Sequence, residues 1–453
     1  MLRSLRKPDR CTPVTKGPFL KRSTALSSLM ALLLTAGALL AGPATQAHAL
    51  SQSADATWTT NGYVFATAQF GNVLFIGGTF TQVRNLPPQT PGGTIVHVQN
   101  LAAIDMTTGA AIPSFHPMVA ETEFTAGKKA GVQALAVVDD MLYVGGQFNE
   151  VDGALHHDLA AILIDPSTMT GTVDAGFNPV VGVPGSLNQN KNYVYKILPS
   201  PDGLWVGGAF TMVSNYLSSK IVRLNYDGTV NTAFRTKGVN GAVRDMAFSS
   251  DAQTIFAVGA FSLFNGMTRQ SVVRLDALTG ADTTWAIPTG GIIVGSPSAP
   301  HPNVMTCWSL AVTTARLYVG CGRTPNYAAA FRLDNGDVGT RAWLYSTSGN
   351  IQAVALSADG LSLVIGGHFG TNGLNQTVSC PGGTKYLKNL AILHNITGFS
   401  TPSVDCNFVP QFWSPSPNGG VWEIQITPTA IWTGGMFRTI NGISQWGIAR
   451  FTL

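Results

Sequence analysis

One phrase recurs along this chain: an apolar strand that ends in Gly-Gly-x-Phe. It reads NVLFIGGTF (72–80), DMLYVGGQF (140–148), DGLWVGGAF (202–210), QTIFAVGAF (253–261), ARLYVGCGR (315–323), LSLVIGGHF (361–369) and TAIWTGGMF (429–437). Seven copies about 60 residues apart point to a solenoid, an array or a propeller. The surroundings narrow the choice. An apolar stretch and a tight turn precede each phrase, as in VQALAVVDDMLYVGG. Asn-Gly or Asp-Gly turns follow several of them, and those pairs tolerate the positive φ of a hairpin. A third apolar strand comes next, such as LAAILID or SVVRLD, then a turn and a fourth segment with one aromatic: Phe115, Phe177, Phe234, Trp285, Trp343 or Phe408. No stretch has helical periodicity.

Four short antiparallel strands per unit describe a propeller blade, which buries its two faces only by stacking on neighbours. The expected fold is all-β: a seven-bladed β-propeller of four-stranded antiparallel blades over residues 50–453. DATW (55–58) reads as a fourth segment with no first three, and WGIARFTL (446–453) as a third strand with no fourth. The spacing therefore predicts that the strand around Trp58 pairs with the strand around Arg450. The N-terminal strand would thus complete the C-terminal blade, close the ring and leave no open sheet edge.

The LYVGGxFxxVxG phrase resembles that of the bacterial delta-60 repeat β-propellers, a domain of unknown function in secreted proteins. It is also similar to the propeller repeats of fungal cortical polarity-marker proteins. The resemblance spans residues 54–453 and implies a fold, not an activity, because the shared motif is structural. The fifth copy departs from it, with Cys321 where Gly is usual and Arg323 where Phe is usual.

Residues 1–49 read as an export signal peptide. A basic stretch precedes the apolar run ALSSLMALLLTAGALLAG, and Ala47-His48-Ala49 is a small-x-small cleavage site. Ser, Thr and Gly interrupt the run, which falls short of the roughly 20 residues a membrane span needs. KGPFLK lacks the arginine pair of a twin-arginine signal, so the bacterial general export route is expected, with a secreted or cell-surface product. The leader carries seven of the 27 Lys and Arg residues and one of the 23 Asp and Glu residues, leaving 20 and 22. A charge-balanced remainder lacks the basic footprint of a nucleic-acid binder.

Four cysteines follow the leader, an even number in an exported chain. Cys307 and Cys321 lie on consecutive strands, equidistant from the turn at Thr313-Thr314-Ala315. Cys380 and Cys406 flank the third strand of the sixth unit. Disulfides 307–321 and 380–406 are expected; a zinc site is disfavoured because Cys-x2-Cys spacing is absent. His156-His157-Asp158 resembles a ligand set, but its place before a third strand favours a solvated loop. NQT (375–377) and NIT (395–397) match a glycan-acceptor pattern that is short and common. No metal or other cofactor is expected.

The loops sort by length. Turns between the first and second strands are short, whereas one face collects the insertions NLPPQTPGGTIVHVQN, AETEFTAGKKAG, VVGVPGSLNQNKNY, PTGGIIVGSPSAPHPN, GTNGLNQTVSCPGGTKY and VPQFWSPSPNGG. Elaborated loops on a rigid scaffold are where function tends to sit. The innermost strands begin Val64-Phe65-Ala66, Val132-Gln133-Ala134, Val194-Tyr195-Lys196, Val243-Arg244-Asp245, Cys307-Trp308-Ser309, Ile351-Gln352-Ala353 and Val421-Trp422-Glu423. Lys196, Arg244, Asp245 and Glu423 are unusual in apolar strands, because buried charges need partners. They either pair with one another or contact a ligand, with Tyr195, Trp308 and Trp422 as stacking platforms. The leading expectation is a monomeric, non-catalytic binder of a glycan, peptide or surface partner through the long-loop face. An extracellular polysaccharide-acting enzyme using Asp245 and Glu423, and a structural envelope component, are the alternatives.

Overall fold

The computed structural model describes residues 51–453 except 89, 123–129, 183–191, 284, 288–304, 324, 334–338, 371–375 and 414–418. The expected leader lies outside the described residues, as do the whole of PTGGIIVGSPSAPHPN, parts of the other five long insertions and the first residue of NQT. Every element among the described residues is a β-strand.

Each copy of the repeat phrase forms the second strand of its own antiparallel sheet, numbered here in chain order. The inner strands are Val64–Phe70, Gly131–Val138, Val194–Ser200, Val243–Phe248, Thr306–Val312, Ile351–Leu356 and Val421–Ile426. In every case the inner strand pairs with the phrase strand, which pairs with the third strand. Only the second, fifth and sixth sheets carry a paired fourth strand. In the first, third and fourth sheets that segment makes one isolated bridge, at Ala111, Val230 and Asp282. The aromatic of this segment is buried whether or not the segment pairs as a strand: Phe115, Phe177, Phe234, Trp285, Trp343 and Phe408 are all less than 5% exposed.

The Gly-Gly pair is a packing device with two separate parts. A Cβ on the first glycine would lie 2.3 Å from Val132 Cγ1 at Gly77, 2.4 Å from Val194 Cγ1 at Gly145 and 2.6 Å from Ile351 Cγ2 at Gly320. Gly207 meets Val243, Gly366 meets Val421, and Gly434 meets Val64 in the same way. The first glycine therefore receives the leading β-branched residue of another sheet's inner strand. The fourth sheet reverses the sizes, with Val258 at the glycine position and Cys307 in the same buried cluster. The second glycine has backbone around it: a Cβ on Gly78 would meet the Tyr63 carbonyl at 1.8 Å, and one on Gly146 the Gly131 carbonyl at 2.1 Å.

The residue before the third strand shares a second device. Asn100, Asp158, Lys220, Ser271 and Asn389 all have φ between 62° and 70°, where Asn and Asp are least penalised. That geometry lets their carbonyls accept from the second glycine, as Asn100 does from Gly78 at 2.9 Å. Their own N–H groups return to the carbonyl of the repeat phenylalanine, as Asn100 does to Phe80 at 2.8 Å.

Hydrophobic clusters fill the spaces between sheets. One joins Phe75 and Leu101 of the first sheet to Val132 and Ile162 of the second; another joins Val64 and Ile76 of the first to Trp432 and Ile448 of the seventh. Each fully buried large side chain in them contributes about 1.5–3 kcal/mol.

The N-terminal segment does not pair as the sequence predicts. Thr59–Thr60 forms a two-residue strand with Gln82–Arg84, and the Trp58 N–H goes to the Gly109 carbonyl. Asp55, three residues earlier, donates its N–H to the Arg450 carbonyl at 2.8 Å. The seventh sheet therefore has three strands, and this segment clips to its edge through separate hydrogen bonds rather than a ladder.

Candidate functional site

All seven inner strands break register at the same place. The shift falls between Val64 and Ala66, Val132 and Ala134, Val194 and Lys196, Val243 and Asp245, Cys307 and Ser309, Ile351 and Ala353, and Val421 and Glu423. A bulge leaves one residue unpaired and re-aims its side chain. The residues left over are Phe65, Gln133, Tyr195, Arg244, Trp308, Gln352 and Trp422. All seven line one cavity of about 290 Å³. Tyr195, Arg244, Trp308 and Trp422 were nominated from the sequence; Phe65, Gln133 and Gln352 were not. The signal that reaches them is positional, because each is the middle residue of an aligned triplet.

Five of these side chains, Tyr195, Arg244, Trp308, Trp422 and Phe65, touch in succession. Tyr193 stacks on Tyr195 with ring centroids 5.3 Å apart. The Arg244 guanidinium carbon lies 3.9 Å from the Tyr195 ring centroid and 4.7 Å from that of Trp308. Trp308 meets Trp422 edge-on at 5.8 Å, and Trp422 meets Phe65 at 5.8 Å. Burial raises the Tyr195 phenol and lowers the Arg244 guanidinium from their ordinary values. Three donors, Arg244 Nε, Trp308 Nε1 and Trp422 Nε1, lack an acceptor, and Gln352 Oε1 lacks a donor.

The residues one step further along the strands form the polar floor. Lys196 Nζ and Asp245 Oδ1 are 2.8 Å apart. Burial alone would lower Lys196, but the charge and hydrogen bond of Asp245 raise it. Asp245 also accepts from the N–H groups of Met246 at 2.8 Å and Leu310 at 2.9 Å, and from Ser309 Oγ at 3.2 Å. Its carboxylate thus ties three inner strands together. Glu423 accepts one bond, from Thr67 Oγ1 at 2.8 Å. Its enclosure raises the carboxyl to about 7, against the lowering effects of Thr67 and the Lys196 charge. The two carboxylates therefore differ: Asp245 is a structural anchor, whereas Glu423 is poised to change charge near neutrality.

Both expected disulfides are present, Cys307–Cys321 and Cys380–Cys406. Cys307 and Cys321 are register partners across the hairpin, directly beside the Trp308 bulge. The solvated-loop reading of His156-His157-Asp158 is corrected. His156 is 1% and Asp158 6% exposed, and Asp158 Oδ1 accepts from the Phe148 N–H at 3.0 Å. Asp158 fills the positive-φ position before the third strand, which draws it into the sheet. Among the described residues no group of three or more His, Cys, Asp or Glu could hold a metal. Among the described residues there is no helix long and apolar enough to cross a membrane.

Separate antiparallel sheets whose inner strands all line one cavity define a β-propeller. A family described as a domain of unknown function (DUF5122) β-propeller matches residues 200–234, most of the third sheet. Among solved structures, that of Sqt1 from Chaetomium thermophilum is similar at 15% identity and a TM-score of 0.46, over 89% of this chain and all of the other. No curated protein matches the chain.

Proposed function

We propose that the chain is a secreted, non-catalytic binding propeller that holds a glycan in its central cavity. The observation that carries this reading is the run of seven bulges, which delivers four aromatics, two amides and an arginine to one opening. Flat aromatic faces suit sugar rings, and amide groups suit hydroxyls. In this reading residues 1–49 direct export, residues 50–453 fold as seven blades, and the chain is a delta-60 relative that acts as a monomer. Ring closure is supported by Gly434 against Val64, by the shared cluster of the first and seventh sheets, and by the Asp55–Arg450 clip.

A glycan array probed with residues 50–453, followed by calorimetry on the hits, tests the reading. Trp308→Ala and Trp422→Ala are expected to weaken binding at least about tenfold without shifting the thermal midpoint, as loss of a stacking platform should. Absence of binding to every glycan sinks it. The hydrolase alternative has one observation in its favour, the elevated carboxyl of Glu423. Turnover of a polysaccharide that disappears in Glu423→Gln would establish it instead.

A further inference from the structure

We propose that the ligand is a saccharide bearing a carboxylate, and that Arg244 receives that carboxylate. This deepens the glycan reading and rests on it.

Four charged residues line the cavity, and three are accounted for by the fold. Lys196 and Asp245 pair, and Glu423 is held by Thr67. Arg244 has no carboxylate within ion-pair distance among the described residues. A half-buried guanidinium without a counter-ion costs stability, and an apolar side chain at the same bulge would not. Its surroundings say what would repay that cost. Tyr195 comes from the preceding sheet and Trp308 from the following one, so the rings approach the guanidinium from either side. One edge donor is engaged by Tyr195, and Arg244 Nε has no acceptor; the remaining N–H edge matches a planar carboxylate in a bidentate fork.

The cavity is also short of acceptors. Against three donors with no acceptor there is one acceptor with no donor, Gln352 Oε1. An anionic, oxygen-rich ligand corrects that imbalance and a cationic one does not. The fifth repeat supplies an independent observation, because the phrase fails there in the direction of positive charge. Arg323 replaces the buried phenylalanine, is exposed, and adopts φ 69°, a strained conformation for a bulky residue. Its charge reaches Arg244 and is among the causes that lower it. A second cation within electrostatic reach of the first draws anions toward the opening. The remaining wall, Phe65, Trp422, Gln133 and Gln352, offers flat faces and amides, which suit a ring with hydroxyls better than an acidic peptide.

Calorimetry on residues 50–453 decides the matter. The probes are a panel of uronic- and sialic-acid oligosaccharides, the same compounds with carboxyls reduced to alcohols, and a glutamate-rich peptide. At least one acidic oligosaccharide should bind at least about tenfold more tightly than its reduced form. Arg244→Gln should erase that difference, and Arg244→Lys should restore part of it. Arg323→Gln should weaken binding at low ionic strength and little at high. Unfolding midpoints of each variant guard against simple misfolding, and Arg244→Lys keeps the charge should the Gln variant fail to fold. Equal binding of acidic and reduced forms, abolished by Trp422→Ala, overturns the carboxylate while the glycan site stands. Binding of the peptide alone overturns the saccharide, and no binding to any probe overturns both.

Discussion

Asp55 and Arg450 hold each other twice: the Asp55 N–H donates to the Arg450 carbonyl at 2.8 Å, and Arg450 Nε donates to Asp55 Oδ2 at 2.9 Å. Arg450 Nη1 also reaches the carbonyls of Met106 at 2.8 Å and Thr107 at 2.9 Å, in the turn after the first sheet's third strand. One side chain therefore joins the first described residues, the first sheet and the last. Asp55→Ala should cost about 1.5–3 kcal/mol, the range for hydrogen bonds to charged groups. Deletion of residues 51–58 should cost more, because it also removes Thr57 from Gln445 Nε2. Thermal unfolding checks both, and an unchanged midpoint on deletion would count against the clip as a source of stability.

Gly145 and Gly146 should respond differently to the same methyl group. A Cβ on Gly145 presses on the Val194 side chain, which a second substitution can shorten; one on Gly146 presses on the Gly131 carbonyl, which none can. Gly145→Ala is expected to destabilise by about 1–3 kcal/mol, with much of the loss recovered by Val194→Ala. Gly146→Ala should cost at least as much and show no recovery with Val194→Ala. A double-mutant cycle in denaturant measures this. The chain already contains the exchange, since Val258 replaces the first glycine where Cys307 replaces the leading valine or isoleucine.

How much of this was legible in the sequence follows from which interactions are periodic. Gly-Gly-x-Phe recurs because each sheet meets its neighbour in the same way, so the sheets and their inner strands could be read off the repeats. The pairing of Cys307 with Cys321 could be read as well, because equal distances from a turn put two residues in register. The failures involve interactions that do not repeat. Fourth segments were expected as strands, yet only the second, fifth and sixth sheets pair one, although the aromatic that marks the segment is buried in paired and unpaired cases alike. His156 and Asp158 looked solvated because their polarity was weighed without the backbone conformation that buries them. The opposite fates of Asp245 and Glu423 depend on Leu310, Ser309 and Thr67, which come from other sheets, and no local pattern encodes that meeting.

Loss of the Cys307–Cys321 bridge should affect binding more than its loop size suggests. The bridge closes 14 residues, which in a chain-entropy account stabilises by about 3 kcal/mol. It also fixes the strand immediately before the Trp308 bulge. Cys307→Ser with Cys321→Ser is expected to lower stability by about 2–4 kcal/mol and to weaken glycan binding well below the unfolding temperature. The same change at Cys380 and Cys406, neither of which adjoins a residue that lines the cavity, should lower stability and leave affinity unchanged. Equal affinity losses in the two variants would remove the positioning role of the first bridge.

Glu423 sets the sign of the pH dependence near neutrality. Its carboxyl titrates at about 7 in the folded chain against an ordinary value of 4.5, so the folded state holds the proton more tightly than the unfolded one. Its contribution to stability is then fully present below about 4.5 and is lost as the pH rises through 7. The turn aspartates act in the opposite sense. Hydrogen bonds from Ser167 and Thr168 hold Asp165 down to about 2, and side-chain bonds from Ser200, Ser249, Thr279 and Ser357 are the largest lowering influence on Asp202, Asp251, Asp276 and Asp359. Their stabilisation is present above their ordinary values and is lost as the pH falls below about 4. Stability should therefore peak on the acid side of neutrality. Glu423→Gln removes the ionisable group but keeps an acceptor for Thr67. It is expected to raise the thermal midpoint by a few degrees at pH 8, to leave it nearly unchanged at pH 5, and to move the optimum upward. A midpoint shift of the same size at both pH values would mean that the charge on Glu423 is not what the cavity resists.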